Sequence, residues 1–128
     1  MTIARSLFAV SAIATLALSG AAQAHPRLLS STPKVGAAVA RPHMIQLKFS
    51  ERLIGPMTGA DVVTTPMPGM VGRPSVKMAG FATTLGADGK TLTLSRKAAL
   101  PAGGYQVVWR AVSTDTHRVA GRFAFSVK

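Results

Sequence analysis

Apolar side chains recur at every second position in short stretches of this chain, and a polar neighbour separates each pair. Ile45, Leu47 and Phe49 fall on one side of such a stretch, with Gln46 and Lys48 on the other. Leu92 and Leu94 alternate with Thr91, Thr93 and Ser95. Tyr105, Val107, Trp109 and Ala111 share one face, and Phe123, Phe125 and Val127 share another. A period of two belongs to a strand with one buried side, because successive Cβ atoms point to opposite faces of a sheet. Weaker strand patterns cover Leu28 to Ser31, Ala60 to Thr65 and Val76 to Ala79. Turn-forming residues separate these stretches: Thr32-Pro33, Arg41-Pro42, Gly55-Pro56, Pro66 to Gly69, Ala87-Asp88-Gly89 and Pro101 to Gly104. No stretch carries the 3.6 period of an amphipathic helix. The pattern predicts an all-β fold, an antiparallel two-sheet β-sandwich of about seven strands for which Greek-key connections are expected. Trp109, Phe123 and Phe125 belong to its core.

The first two dozen residues follow another rule. Met1 to Arg5 carries one positive charge, Ser6 to Leu18 is apolar or small, and Ser19 to Ala24 ends in a small-x-small pattern. That is the layout of a secretory signal peptide. The apolar run is shorter than the roughly 20 residues of a membrane-spanning helix, so stable membrane insertion is not expected. Residues 1–24 are expected to be a cleaved signal peptide and 25–128 one exported domain beginning at His25. For a double-membraned bacterium the expected destination is the periplasm. The whole chain has 128 residues, which suits a single domain.

Composition removes several functions. The chain has no cysteine, which excludes a blue-copper centre, a thiolate zinc site and a thiol nucleophile. The formal charge is +11, from 15 Lys and Arg against 4 acids. Such a balance favours anionic partners. The basic residues are dispersed, however, and aromatics make up only 5% of the chain, so a nucleic-acid surface is not expected. Catalysis is not expected either. Ser113, Asp115 and His117 are close in sequence but carry no Gly-x-Ser-x-Gly elbow, and Glu51 with Asp115 lacks an aromatic sugar cleft.

The side chains able to act as carboxylate or imidazole ligands are His25, His43, Glu51, Asp61, Asp88, Asp115 and His117. Cleavage after Ala24 would give His25 two donors, its imidazole and a free α-amine, which close a small chelate ring on one ion. Pro26 has no amide N–H to deprotonate, so that chelate stops at two nitrogens and leaves room for distant ligands. Asp115-Thr116-His117 offers them, since residues two apart on an extended backbone project to one side. Nitrogen and oxygen donors in a square arrangement suit Cu(II). His43, Asp61 and Asp88 read as surface or turn residues, and Asp88-Gly89 as a hairpin turn.

The chain resembles the CopC/PcoC copper-resistance proteins, small exported copper-binding β-sandwiches. The resemblance covers the whole domain from His25. It rests on His25-Pro26-Arg27-Leu28-Leu29-Ser30-Ser31-Thr32-Pro33, on Ile45 to Glu51, on Met67-Pro68-Gly69-Met70, and on Tyr105 to His117. It implies that His25, Asp115 and His117 bind Cu(II), with Glu51 either a further ligand or an acceptor near the amine. It implies a Cu(I) site of thioethers, for which Met67 and Met70 match, while Thr64, Gly72 and Ser75 stand where soft ligands are expected. Met67 and Met70 read equally well as ordinary loop residues. The implied function is sequestration or delivery of copper, for resistance or homeostasis, by a monomer. A CopD-type inner-membrane copper transporter or an exported multicopper oxidase is the implied partner. The alternative is a histidine-brace copper monooxygenase, which would need an open coordination position and a broad substrate face.

Overall fold

A computed structural model of the protein describes residues 25–66, 72 and 74–128. Residues 1–24, with the expected signal peptide, lie outside the described residues, as do Met67 and Met70. Among the described residues eight strands follow one another: β1 Leu28–Thr32, β2 Ala38–Val39, β3 Met44–Phe49, β4 Gly59–Thr64, β5 Phe81–Leu85, β6 Thr91–Arg96, β7 Gly103–Val112 and β8 Arg118–Val127. A single 3-10 turn, Gly55–Met57, lies between β3 and β4. Two four-stranded sheets result, in the orders β1-β3-β6-β5 and β2-β8-β7-β4. The chain crosses between sheets from β3 to β4 and from β6 to β7, yet β3 pairs with β6 and β4 with β7. These crossed pairs give the Greek-key character expected of the sandwich.

The strong alternations all became strands, and their apolar faces meet between the sheets. Ile45, Leu47, Phe49, Leu92, Leu94 and Val107 are essentially inaccessible to water. Trp109 packs edge-to-face on Phe49 with ring centroids 5.2 Å apart. It lies opposite Gly121 across the β7–β8 ladder. A Cβ at Gly121 would sit 2.5 Å from the indole, so only glycine leaves Trp109 its place. At the other end of this sheet Tyr105 stacks on Phe125 at 5.6 Å and its hydroxyl donates to the Pro101 carbonyl at 2.6 Å.

The strands differ from the expected pattern at three places. Val76 to Ala79 makes a single bridge, Lys77 to Val63, rather than a strand. Phe81–Leu85, which shows no apolar alternation, is a strand at the sheet edge and is mostly exposed. The antiparallel rule has one exception: the two residues of β2 pair in parallel with the end of β8. The Asp88-Gly89 turn does close the β5–β6 hairpin. Asp88 Oδ1 accepts from the Lys90 and Thr91 amides at 2.9 and 3.0 Å, and Gly89 takes φ +68°. Among the described residues no helix is long and apolar enough to cross a membrane.

Candidate metal centre

The start of the described chain is pinned at one end of the sandwich. Pro26 is fully buried. The Arg27 amide donates to the Ser50 hydroxyl at 2.9 Å, and the Ser50 amide donates back to the Arg27 carbonyl at 2.9 Å. This pair extends the β1–β3 ladder by one step and fixes where the exposed His25 emerges. Glu51 follows Ser50 and so belongs to the same end. It is half-buried, and no hydrogen bond among the described residues reaches its carboxylate.

The second component is the turn between β7 and β8. The last ladder pair is Val112 with Arg118, and the five residues between them close on themselves. The Ser113 amide donates to the His117 carbonyl at 3.0 Å and the Thr116 amide to the Ser113 carbonyl at 2.8 Å. Ser113 also bridges to Leu53, and the Thr114 amide donates to the Arg52 carbonyl at 3.0 Å. The turn is thereby tied to the segment that follows Glu51.

Asp115 and His117 do converge, but not by the expected route. Their backbone is a tight turn rather than an extended one, and Thr116 between them has φ +71°, a left-handed conformation uncommon for a β-branched residue. The curvature brings Asp115 Oδ2 to 3.0 Å from His117 Nδ1. The other carboxylate oxygen accepts from the Ser113 hydroxyl. The Ser113 hydroxyl, first, and the His117 N–H hold the Asp115 carboxyl below its ordinary range, against a smaller opposing effect of burial. With Nδ1 facing a carboxylate, the geometry assigns the proton to that nitrogen and leaves the Nε2 lone pair for a ligand.

His25 completes the group. Its ring meets that of His117 edge-to-face with centroids 4.5 Å apart. Two imidazoles from opposite ends of the chain therefore lie side by side, with Asp115 behind one of them. Among the described residues no three His, Asp or Glu side chains are gathered tightly enough to form a ready-made cage. The nitrogen of His25 is a peptide amide while Ala24 precedes it, so it could act as a donor only in a chain that starts at His25. His43 is elsewhere. It precedes β3, whose other end carries Ser50, and six residues of strand span about 20 Å. Asp61 pairs with Lys77 at 2.9 Å on β4, also away from the histidines.

Ser113 was visible in the sequence only as a rejected nucleophile. Its role here had a signal: it extends the buried alternation of β7 by one residue and stands two before the aspartate. Ser50, which holds the first residues, had no comparable mark.

The CopC domain model matches residues 28–128. The chain belongs to the CopC family. This CopC-family protein is 44% identical over 128 residues, all of both chains, to copper resistance protein C of Pseudomonas syringae pv. tomato. It is 45% identical over 107 residues, 84% of each chain, to copper resistance protein C of Escherichia coli. Among solved structures it is similar to PcoC, a methionine-rich copper resistance protein from Escherichia coli. The TM-score is 0.72 at 44% identity, and the match covers 82% of this chain and 100% of that one.

Proposed function

We propose that this CopC-family protein binds copper and sequesters or delivers it in copper resistance, holding Cu(II) at the end of the sandwich where His25 meets His117. Cleavage after Ala24 releases an exported, periplasmic domain of residues 25–128. His25 then gives its α-amine and imidazole, His117 gives an imidazole nitrogen, and Asp115 gives a carboxylate oxygen. The last role is compatible with the Ser113 bond, because each carboxylate oxygen has two lone pairs. Ser113 keeps one oxygen in place while the other turns from His117 toward the ion. Glu51, next to the Ser50 that pairs with Arg27, lies at the same end of the sandwich and would orient the amine or bind the ion. The donor set is nitrogen and oxygen with no soft atom, which suits Cu(II) and accepts zinc more weakly.

The observation that carries this reading is the 4.5 Å approach of the His25 and His117 rings. Solvent-exposed imidazoles have no reason of packing to lie together at the one place where a new chain terminus would form. A weaker Cu(I) site at Met67 and Met70 belongs to the same proposal, as do a monomeric state and a CopD-type transporter or multicopper oxidase as the exchange partner. The binding role is a carrier's, not a catalyst's.

The test is a Cu(II) titration, followed by the copper absorption and spin-resonance spectra, of protein starting at His25 and of protein with one extra residue before it. The extended form is expected to lose affinity by orders of magnitude and to change its spectrum, because the amine moves out of chelate range. Equal binding by both forms would defeat the assignment.

A further inference from the structure

The outer face of the β4–β7–β8 sheet carries a second feature, which the copper site does not use. Cross-strand partners share a face, so the ladder pairs Arg110–Ala120, Val108–Arg122 and Val112–Arg118 fix three arginines on one surface. Arg110 stands between Arg118 and Arg122 in register, each about 7–8 Å away on the diagonal. Its guanidinium lies across Gly59, where a Cβ would be only 2.8 Å from it. The small residues Gly59 and Ala120 thus leave a floor on which the arginines spread.

No carboxylate among the described residues is in ion-pair contact with them. The chain has four acids in all. Asp61, the one on this face, is engaged by Lys77 at 2.9 Å. Asp88 is in the β5–β6 turn, and Glu51 and Asp115 are at the histidine end. Among the described residues none of the three guanidiniums has a hydrogen bond or ion pair. Between Arg110 and Arg118 an open cleft of about 310 Å³ continues to the exposed thioether of Met57. Val108, 40% exposed, adds an apolar spot amid the charges.

We infer that this face is a docking surface for an acidic patch on a partner protein, with a partner carboxylate entering the cleft between Arg110 and Arg118. Planar guanidinium forks on stiff strands match carboxylates two bonds at a time, and arginine around a small apolar centre is the make-up of protein interfaces. A nucleic acid would want stacking aromatics, and this face has none. An anionic membrane is served by several flexible lysines or an apolar wedge, whereas the one lysine at this face, Lys77, is paired with Asp61. Arg118 directly follows His117, so a partner seated on this face has its edge against the histidines. Docking itself does not depend on the copper reading; its use in handing over the ion rests on that reading.

The experiment uses protein starting at His25 and a fluorescein-labelled poly-Glu peptide, read by anisotropy. The triple variant Arg110→Gln, Arg118→Gln, Arg122→Gln is compared with Lys34→Gln, Lys48→Gln, Lys97→Gln, which removes the same charge elsewhere. The first is expected to weaken binding about tenfold or more and the second less than about threefold, against the 1.4 kcal/mol that a factor of ten represents. In the unmutated protein the peptide should shift amide resonances of β7 and β8, which tests the site even if a variant fails to fold. Equal losses in both triples, or shifts scattered over the surface, would reduce the effect to net charge and overturn the inference. So would phosphatidylglycerol vesicles that bind more tightly than the peptide through the same three arginines. A Cu(II) titration of the arginine triple should match the unmutated protein, which separates this inference from the copper assignment.

Discussion

Replacing Gly121 by alanine puts one methyl group where Trp109 already is. The added carbon would lie 2.5, 2.8 and 3.2 Å from three indole atoms, where a carbon pair prefers about 3.5–4.0 Å. Gly121 has no left-handed backbone, so the exchange also carries a benefit: alanine restricts the unfolded chain and normally stabilises by about 0.4–1 kcal/mol. Overpacking of a well-filled core costs about 1–3 kcal/mol. The indole has little freedom to retreat, since its other side rests on Phe49. The overlap should therefore win by about 1–2 kcal/mol, which lowers the midpoint of thermal unfolding by roughly 5–10 °C in a domain of this size. Near-ultraviolet circular dichroism of protein starting at His25, followed with temperature, measures it. Trp109→Phe makes room for the methyl group, so the double variant should lose less than the sum of the two single losses. An unchanged or raised midpoint for Gly121→Ala would show that the indole is not held as described.

Other expectations concern the histidine end. Ser113→Ala should raise the carboxyl titration of Asp115 toward the ordinary aspartate value, read by carbon resonance, because its largest stabilising donor is gone. In the unmutated protein the ionised Asp115 is favoured, so its contribution to stability is complete above the ordinary aspartate value of 3.8 and fades as acid carries the pH down through the lower folded value. Unfolding midpoints measured across that acid range should fall less steeply in Ser113→Ala. His117→Ala should weaken Cu(II) by more than the roughly 10–100-fold typical of an outer partner, while His43→Ala leaves titration curves unaltered; a strong defect at His43 would mean the ligand set is wrong. Thr116→Gly should raise the unfolding midpoint by a few degrees, since a left-handed β-branched residue stores about 1–2 kcal/mol that glycine does not.

How much of this was legible in the residues follows from burial. Strands β3, β6, β7 and β8 have one wet and one dry face, so their alternation is complete and their assignment was secure. Phe81–Leu85 sits at an edge, keeps three threonine or alanine side chains in water, and so leaves only Phe81 and Leu85 as a trace. Val76 to Ala79 had the better apolar pattern, but it borders β4 through only two backbone bonds from Thr64 and Met78. Two residues of β2 are too few to show any period. At the site, His25 was marked by the small-x-small boundary before it and His117 by its aspartate. The way they meet was not readable, because a left-handed threonine is not announced by its own type. A period-two argument expected these two side chains to converge, and they do meet, but through a turn that does not obey that period.

The burial of Pro26 and the pinning of Arg27 leave one free residue between the folded body and the bond after Ala24. A peptidase grips several residues of stretched substrate on both sides of its cut. That grip and the docking of β1 on β3 compete for the same backbone. Under the proposed cleavage after Ala24, processing would therefore precede completion of the sheet, and the α-amine would appear only after export. Such an order would keep the proposed copper site from loading before the chain is exported.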